Sequence, residues 1–247
     1  MTLHDDLGAA VEVTGPASRV VSLVPSLTES LAATRPDALV AATEWCTHPA
    51  DLDVPRVRGT KNPDVRRIVE LQPDLVVANQ EENRELDVRR LRDAGVPVWV
   101  TVIETVPQAI TSMTRLFTEG LGWGCPGWLE EVGDAWDRPV PEPHLRVVVP
   151  VWRDPWMVVG RDTFTGDLLR RLGCANAFDG HADRYPKVGL AEVDRDDVDL
   201  VLLPDEPYVF TPDDGPEAFE KAPTRLVSGR LLTWYGPSLL EAATLSW

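Results

Sequence analysis

A helix, a buried strand and a polar loop follow one another between Arg58 and Arg84, and this run restricts the fold more than any other part of the chain. Asn62 has the character of an N-cap, Pro63 suits a first helical position, and Val65, Ile68 and Val69 recur at the spacing of one helix face. Pro73 ends that helix, since it has no N–H to continue the ladder. Leu75-Val-Val-Ala78 is short and continuously apolar, as a strand is when helices cover both faces of a parallel sheet. The polar cluster Asn79 to Arg84 then falls at the carboxyl end of the strand, the edge of an open parallel sheet where ligands are held. A solvated surface loop is the alternative reading of the same residues.

The pattern repeats along the chain. After a polar lead-in over residues 1–18, Arg19 to Val24 reads as a strand, and Ser26 with Glu29 has the spacing of a capping box opening a helix to about Thr34. Ala38 to Ala42 is a second strand, and Thr43-Glu-Trp-Cys-Thr-His-Pro49 is a polar and aromatic loop at its end. Beyond Arg84 a helix with Leu86 and Leu91 inward runs to Gly95, and Pro97 to Val102 is a further strand. Strands alternating with helices define a parallel α/β lobe over 19–103. A connecting helical segment, 104–143, is interrupted at Gly122 to Gly127 and ends in the stiff run Pro139, Pro141, Pro143. Alternation resumes over 144–247: strands from Leu145 to Val151, Met157 to Val159, Leu200 to Leu203 and Arg225 to Val227, and helices from Thr163 to Leu172, Leu190 to Val198 and Pro237 to Leu245. Val69 to Ala78 and Val193 to Leu203 echo each other, each a helix end followed by Asp-Leu-Val and an apolar strand. The expected fold class is therefore α/β, two Rossmann-like lobes joined by a helical segment, with a ligand cleft between the lobes.

Charge and cysteine content narrow the function classes. With 40 acidic against 24 basic residues and a net charge of −16, the chain is not expected to bind nucleic acid or anionic lipid. No apolar run approaches the roughly 20 residues that span a bilayer, and Met1-Thr-Leu-His-Asp-Asp-Leu-Gly has neither the basic nor the apolar part of a secretory signal, so a cytoplasmic protein without membrane insertion is expected. Cys46, Cys125 and Cys174 are an odd number at unrelated spacings, which suggests reduced thiols.

Candidate binding residues gather in the loops. Glu44, His48, Lys61, Asn62, Glu81, Glu82 and Asn83 come from the first lobe. Trp152, Trp156, Arg184, Tyr185, Glu206 and Tyr208 come from the second, with Trp234 and Tyr235 near the last helix. Aromatic rings stack on planar molecules and charged groups orient polar ones, so this mixture suits a small-molecule ligand, while core packing is the alternative for each aromatic. Cys46 and His48, with Glu44 beside them and His181 as a further donor, are candidate metal ligands; packing of Trp45 and Pro49 to close the same loop is the competing account. Neither common phosphate-loop spacing, nor a Gly-x-Ser-x-Gly elbow, nor a His-Glu-x-x-His helix is present, so a non-catalytic protein is expected. The alternative is an enzyme or accessory protein with Glu81 and Glu82 as an acid and base pair in the cleft.

Val24-Pro-Ser-Leu-Thr-Glu29, Gly59-Thr-Lys-Asn-Pro63, Leu71-Gln-Pro-Asp-Leu-Val-Val77, Trp156-Met-Val-Val-Gly160 and Asp167-Leu-Leu-Arg-Arg-Leu-Gly173 together resemble the helical-backbone metal receptor superfamily. These are the class III periplasmic binding proteins, and the nearest resemblance is to the vitamin B12-binding proteins, over about residues 19 to 245. The resemblance implies a receptor for a metal chelate such as a corrinoid, a haem or a siderophore, delivered to an ABC transporter. His48 falls where the B12 binder has a cleft tyrosine, Trp156 where it has a phenylalanine, and Asn79 and Thr60 where it has tryptophans, which points to a ligand smaller or more hydrophilic than cobalamin. Transporter-bound relatives present a glutamate on each lobe to the permease. The matching positions here are Arg66 and Ala191, a reversed and a missing charge, so docking to an ABC permease and a role in transport are not expected.

Overall fold

A computed structural model describes residues 2–247, which divide into two compact units. Of these, the first comprises residues 2–103, 107–134 and 235–237, and the second 104–106, 135–234 and 238–247. The segment 104–143 is thus shared between the units.

In the first unit the elements run β1 (Thr2–His4), β2 (Ala10–Glu12), β3 (Val20–Ser22), α1 (Pro25–Thr34), β4 (Leu39–Ala42), β5 (Arg58–Gly59), β6 (Asn62–Pro63), α2 (Val65–Glu70), β7 (Leu75–Asn79), α3 (Glu85–Asp93) and β8 (Val98–Thr101). Helix α4 (Val106–Arg115) follows and widens into a π turn over Leu116–Gly120. The sheet order is β4-β3-β7-β8, every pairing parallel, with β7 buried along all five residues. Covering both faces of this strand with helices is what its unbroken apolar run dictates. Val21, Val76, Ala78, Val98, Ile68, Val88 and Leu91 form one core cluster. Outside that cluster, a Cβ at Gly120 would stand 2.8 Å from the Trp99 ring, so only glycine lets the π turn lie on that indole.

Several local expectations are corrected. Helix α2 is capped by Asp64, whose Oδ1 accepts from the Arg67 amide at 3.1 Å, while Asn62 and Pro63 pair with Arg58 and Gly59 in a short antiparallel hairpin. A carboxylate caps as well as an asparagine amide, and Asp64 stands one residue from the first helical turn. The Ser26–Glu29 capping box does not form. Extended Val24 occupies the N-cap, and both side chains lie buried inside α1. In α3 Val88 and Leu91 point inward, but Leu86 is exposed. The lead-in is an ordered hairpin, β1 with β2, fastened by two carboxylates. Asp5 accepts from the Leu7 and Ala9 amides, from Arg92 at 2.6 Å and from the Val100 amide; Asp6 takes Arg115 at 2.5 Å, Ser112 and the Val102 amide.

Helix α5 (Gly127–Trp136) leads into β9 (Leu145–Val148), β10 (Pro150–Trp152), β11 (Trp156–Val158), α6 (Phe164–Arg171), β12 (Cys174–Asn176), β13 (Lys187–Val188), α7 (Leu190–Val193), β14 (Leu200–Pro204), β15 (Thr224–Val227), α8 (Gly229–Thr233) and α9 (Ser238–Ala242). The parallel sheet of the second unit is ordered β12-β9-β14-β15, and β10-β11-β13 form an antiparallel ribbon. As β7 does in its sheet, β14 runs between two parallel neighbours and is buried throughout, so the echo noted in the sequence corresponds to two equivalent central strands. The helix expected over 190–198 stops at Val193 because the Asp194 carboxylate is engaged elsewhere, accepting the amides of Glu220, Lys221 and Ala222 at 2.9–3.0 Å. Thr163 caps α6, accepting from the Gly166 amide at 3.2 Å.

Candidate functional site

The loops after β4, β7 and β14 lie at the carboxyl ends of parallel strands, the edge where open α/β sheets hold ligands, while Lys61 sits in the β5–β6 hairpin and Trp152 ends a strand of the antiparallel ribbon. In the first unit the loop after β7 is held by two buried asparagines. Asn79 donates from Nδ2 to the Thr101 carbonyl at 3.2 Å and hydroxyl at 3.1 Å, and its Oδ1 accepts the Glu81 and Glu82 amides at 2.9 and 3.3 Å. Asn83 accepts the Asn79 amide at 2.9 Å and donates to the carbonyls of Thr60 at 2.9 Å and Leu23 at 3.3 Å. Asn83 therefore ties the carboxyl ends of β3 and β7 to the β5–β6 hairpin and acts as a frame for the neighbouring side chains. From that hairpin Lys61 donates its ammonium to the Glu81 carbonyl. Lys61, Glu81, Glu82 and Asn83 are thus brought to one corner.

Glu82 is half-buried in this corner. Burial raises its pKa, the Lys61 ammonium opposes the rise and Glu81 adds to it. Tyr235, packed in the first unit and 6% exposed, has its phenol pushed upward by burial and by the charge of Glu82, while hydrogen bonds with Ser26 and Thr101 pull the other way.

The loop after β4 does not bring its candidate metal ligands to one side. Glu44 and His48 are exposed, but Cys46 turns inward, its sulfur 3.0 Å from the Thr28 hydroxyl and 3.1 Å from that of Thr43. Burial raises the thiol pKa, and the bonds with the Thr28 and Thr43 hydroxyls oppose the rise. Among the described residues no group of three His, Cys, Asp or Glu side chains is placed to hold an ion. His181 accepts the Asp183 amide on Nδ1 at 3.0 Å. Trp45 does not close the loop: it is 66% exposed, its indole nitrogen 3.1 Å from where a Cβ on Gly59 would stand, with the Asn62 amide oxygen 2.6 Å from the same point.

In the second unit an aromatic ladder leads from the surface into the core. Trp152, 45% exposed, meets Tyr208 edge-on with centroids 5.5 Å apart; Tyr208 leans on Phe210 at 4.7 Å; Phe210 stacks with Trp156 at 6.0 Å and 5°; Trp156 meets Phe219 at 5.4 Å. Trp152 and Tyr208 offer ring surface, but Trp156 is 7% exposed and belongs to the core cluster, as do Phe210 and the partly buried Tyr208 at its margin. The Tyr208 hydroxyl donates to Asp214 at 2.6 Å, and Arg153 pairs with both Asp214 and Glu217. That bond raises the phenol pKa and, with Arg153, lowers that of Asp214. This locks the β10 end to the segment after β14, an arrangement that the sequence reading, which did not single out Arg153, missed.

Arg184 donates to the Asp162 carbonyl at 2.9 Å, approaches Glu104 at 3.5 Å and lies over the Tyr185 ring. Glu206 packs on Gly229, where a Cβ would come within 2.4 Å of its Cγ, and the adjacent Asp205 accepts the Gly229 amide at 2.7 Å. Trp234, 5% exposed, is buried in the second unit after α8.

Two α/β units of this plan, with parallel sheets and loops of this kind, give the chain the fold of the class III periplasmic binding proteins. The structure of the periplasmic vitamin B12-binding protein BtuF of Vibrio cholerae matches with a TM-score of 0.73 at 19% identity, over 92% of this chain and 94% of that one. A periplasmic haem-binding protein from Pseudomonas aeruginosa matches with a TM-score of 0.75 at 19% identity, over 92% and 90%. In sequence, the vitamin B12-binding protein of Vibrio parahaemolyticus is 25% identical over 185 residues, 72% of this chain and 67% of the relative. Across three such relatives the match spans 38%, 67% and 71% of their own length. No family model matches the chain.

Proposed function

We propose that this protein is a non-catalytic binding protein for a metal chelate, a corrinoid or haem-like ring. The observation that carries the reading is the coincidence of position and chemistry: on a fold shared with B12 and haem binders, an exposed ring (Trp45) and a framed polar corner (Lys61, Glu81, Glu82) gather in the first unit at and beside the carboxyl ends of the parallel strands β4 and β7. Rings stack on a planar macrocycle, and the corner meets its polar rim. Titrating the protein with cobalamins, haemin and ferric chelates, followed by absorption and melting temperature, tests this. A saturable rise in melting temperature with a macrocycle supports it; no response to any of them defeats it.

The reading includes uncoupling from transport and a cytoplasmic place. Arg66 supports the first: it is exposed on α2 and paired with Glu70 at 2.9 Å, a cation where a docking glutamate is expected. Co-purification with an ABC permease, or recovery of the native protein in a periplasmic fraction, contradicts these parts. The second reading, an enzyme or accessory protein, draws on the raised pKa of Glu82 beside Glu81. Turnover of a bound chelate that disappears in Glu82→Gln while binding persists favours it.

A further inference from the structure

The chain contains two Asp-Gly steps, Asp179-Gly180 and Asp214-Gly215, and holds them in opposite ways. Both lie in loops of the second unit, where the pair serves backbone freedom. The same freedom carries a chemical consequence. Without a Cβ on the second residue, its main-chain nitrogen can reach the aspartate Cγ and attack it. That attack needs a carboxyl free to swing onto the next amide, and an amide that is not already donating.

Asp179-Gly180 meets both conditions. The two are the exposed central residues of a turn closed by the His181 amide on the Phe178 carbonyl at 3.0 Å. Among the described residues no hydrogen bond or ion pair holds the Asp179 carboxylate, and nothing accepts the Gly180 amide. The Arg161 guanidinium, which feels the Asp179 charge, is paired with Asp162 at 2.6 Å. Beyond its chain neighbours, no atom lies within 4 Å of where a Cβ on Gly180 would stand. Asp214-Gly215 meets neither condition. Asp214 accepts from the Tyr208 hydroxyl at 2.6 Å and pairs with Arg153, while the Gly215 amide donates to the Glu217 carboxylate at 2.5 Å. Gly215 is also buried, and at a φ of 127° a Cβ there would stand 2.6 Å from the Phe210 ring.

We infer that Asp179-Gly180 is a site of spontaneous isoaspartyl formation in the folded protein, and that its contacts protect Asp214-Gly215. The Gly180 nitrogen bonds to Cγ of the protonated Asp179 carboxyl, the Cγ–OH bond breaks, and the hydroxyl leaves with the amide proton as water. Water then opens the five-membered succinimide. Cleavage of the Cγ–N bond restores aspartate; cleavage between the nitrogen and the main-chain carbonyl carbon of Asp179 routes the chain through Cβ and Cγ. The composition is unchanged, but the chain is one atom longer within a pinned segment: Phe178 belongs to the core, and the Gly160 amide donates to the Arg184 carbonyl at 2.8 Å. The turn bond from His181 to Phe178 is the contact this lengthening breaks. None of this depends on what the protein binds.

The full chain is incubated at neutral pH and physiological temperature for several weeks, folded and in urea, then cut with trypsin. Peptides 172–184 and 196–221 each hold one Asp-Gly step, and electron-transfer fragmentation locates isoaspartate within them. Each rate in the folded protein is divided by the rate of the same step in urea, so that only the effect of the fold remains. The ratio for 179 is expected to exceed that for 214 several-fold. Gly180→Ala, whose Cβ has room, is expected to lower the product at 179 several-fold. Asp179→Glu, which would need a six-membered ring, abolishes it and serves if the alanine variant does not fold. A ratio for 179 as low as that for 214, or a product at 179 that persists undiminished in these variants, overturns the inference.

Discussion

Asn83 accepts the main-chain N–H of Asn79 on its side-chain oxygen at 2.9 Å, and Asn79 accepts the main-chain N–H of Asn83 on its carbonyl at 3.0 Å. This reciprocal pair closes the turn that presents Glu81 and Glu82. Asn83→Ala leaves the Asn79 amide and the carbonyls of Thr60 and Leu23 without their partner in a buried place, a loss of about 2–3 kcal/mol in unfolding free energy. Urea denaturation measures it. Asn83→Asp keeps the acceptor for the Asn79 amide but turns a carboxylate oxygen toward the Thr60 and Leu23 carbonyls, so a loss at least as large is expected near neutral pH.

Glu82 gives a pH dependence of definite sign. Burial raises its folded-state pKa, with Lys61 opposing and Glu81 reinforcing, so the folded protein holds this proton more tightly than the unfolded chain does. The cost of ionising the buried carboxyl is absent below the unfolded pKa of about 4.3 and fully present above the folded one. Glu82→Gln removes that cost. The variant should melt higher than the wild type at pH 8, with the difference fading as pH falls toward 4. A wild type that is the more stable of the two at pH 8 contradicts the assignment.

The aromatic ladder separates structural from binding rings. Trp156 is stacked on Phe210 in the core, so Trp156→Ala should cost about 3–5 kcal/mol. Trp152 touches only the outer end of the ladder and is 45% exposed, so Trp152→Ala should cost about 1 kcal/mol or less while weakening ligand binding. Chemical denaturation and ligand titration of the two variants provide both readouts.

The extent to which this was legible in the sequence follows the strength of the physical signal. β7 and β14 announced themselves because a strand covered on both faces must be apolar at every residue, and both are buried throughout. Cys174–Asn176 gave no such sign: Cys-Ala-Asn is poor strand sequence, and it becomes a strand only by pairing with Leu145 to Val147. Asp194 shows the same dependence on distance, since its helix ends for the sake of amides 26 to 28 residues away. Within the candidate site, Lys61, Glu81 and Asn83 were found because they flank a recognisable strand end. The burial of Trp156 and Trp234 and the exposure of Trp45 were not legible, because a tryptophan in a loop looks the same in sequence whether it packs inward or faces water.

The central claim is that the loops at the carboxyl ends of the parallel strands hold a metal chelate. Amide hydrogen exchange with and without a saturating corrinoid or haem ring tests it most directly, because it maps binding onto the chain without presupposing which side chains take part. The account predicts slowed exchange over 79–84 and the 58–63 hairpin in the first unit, with the strands and helices of its core unchanged. Exchange that is unaffected in these segments, or protection confined to other surfaces, contradicts it.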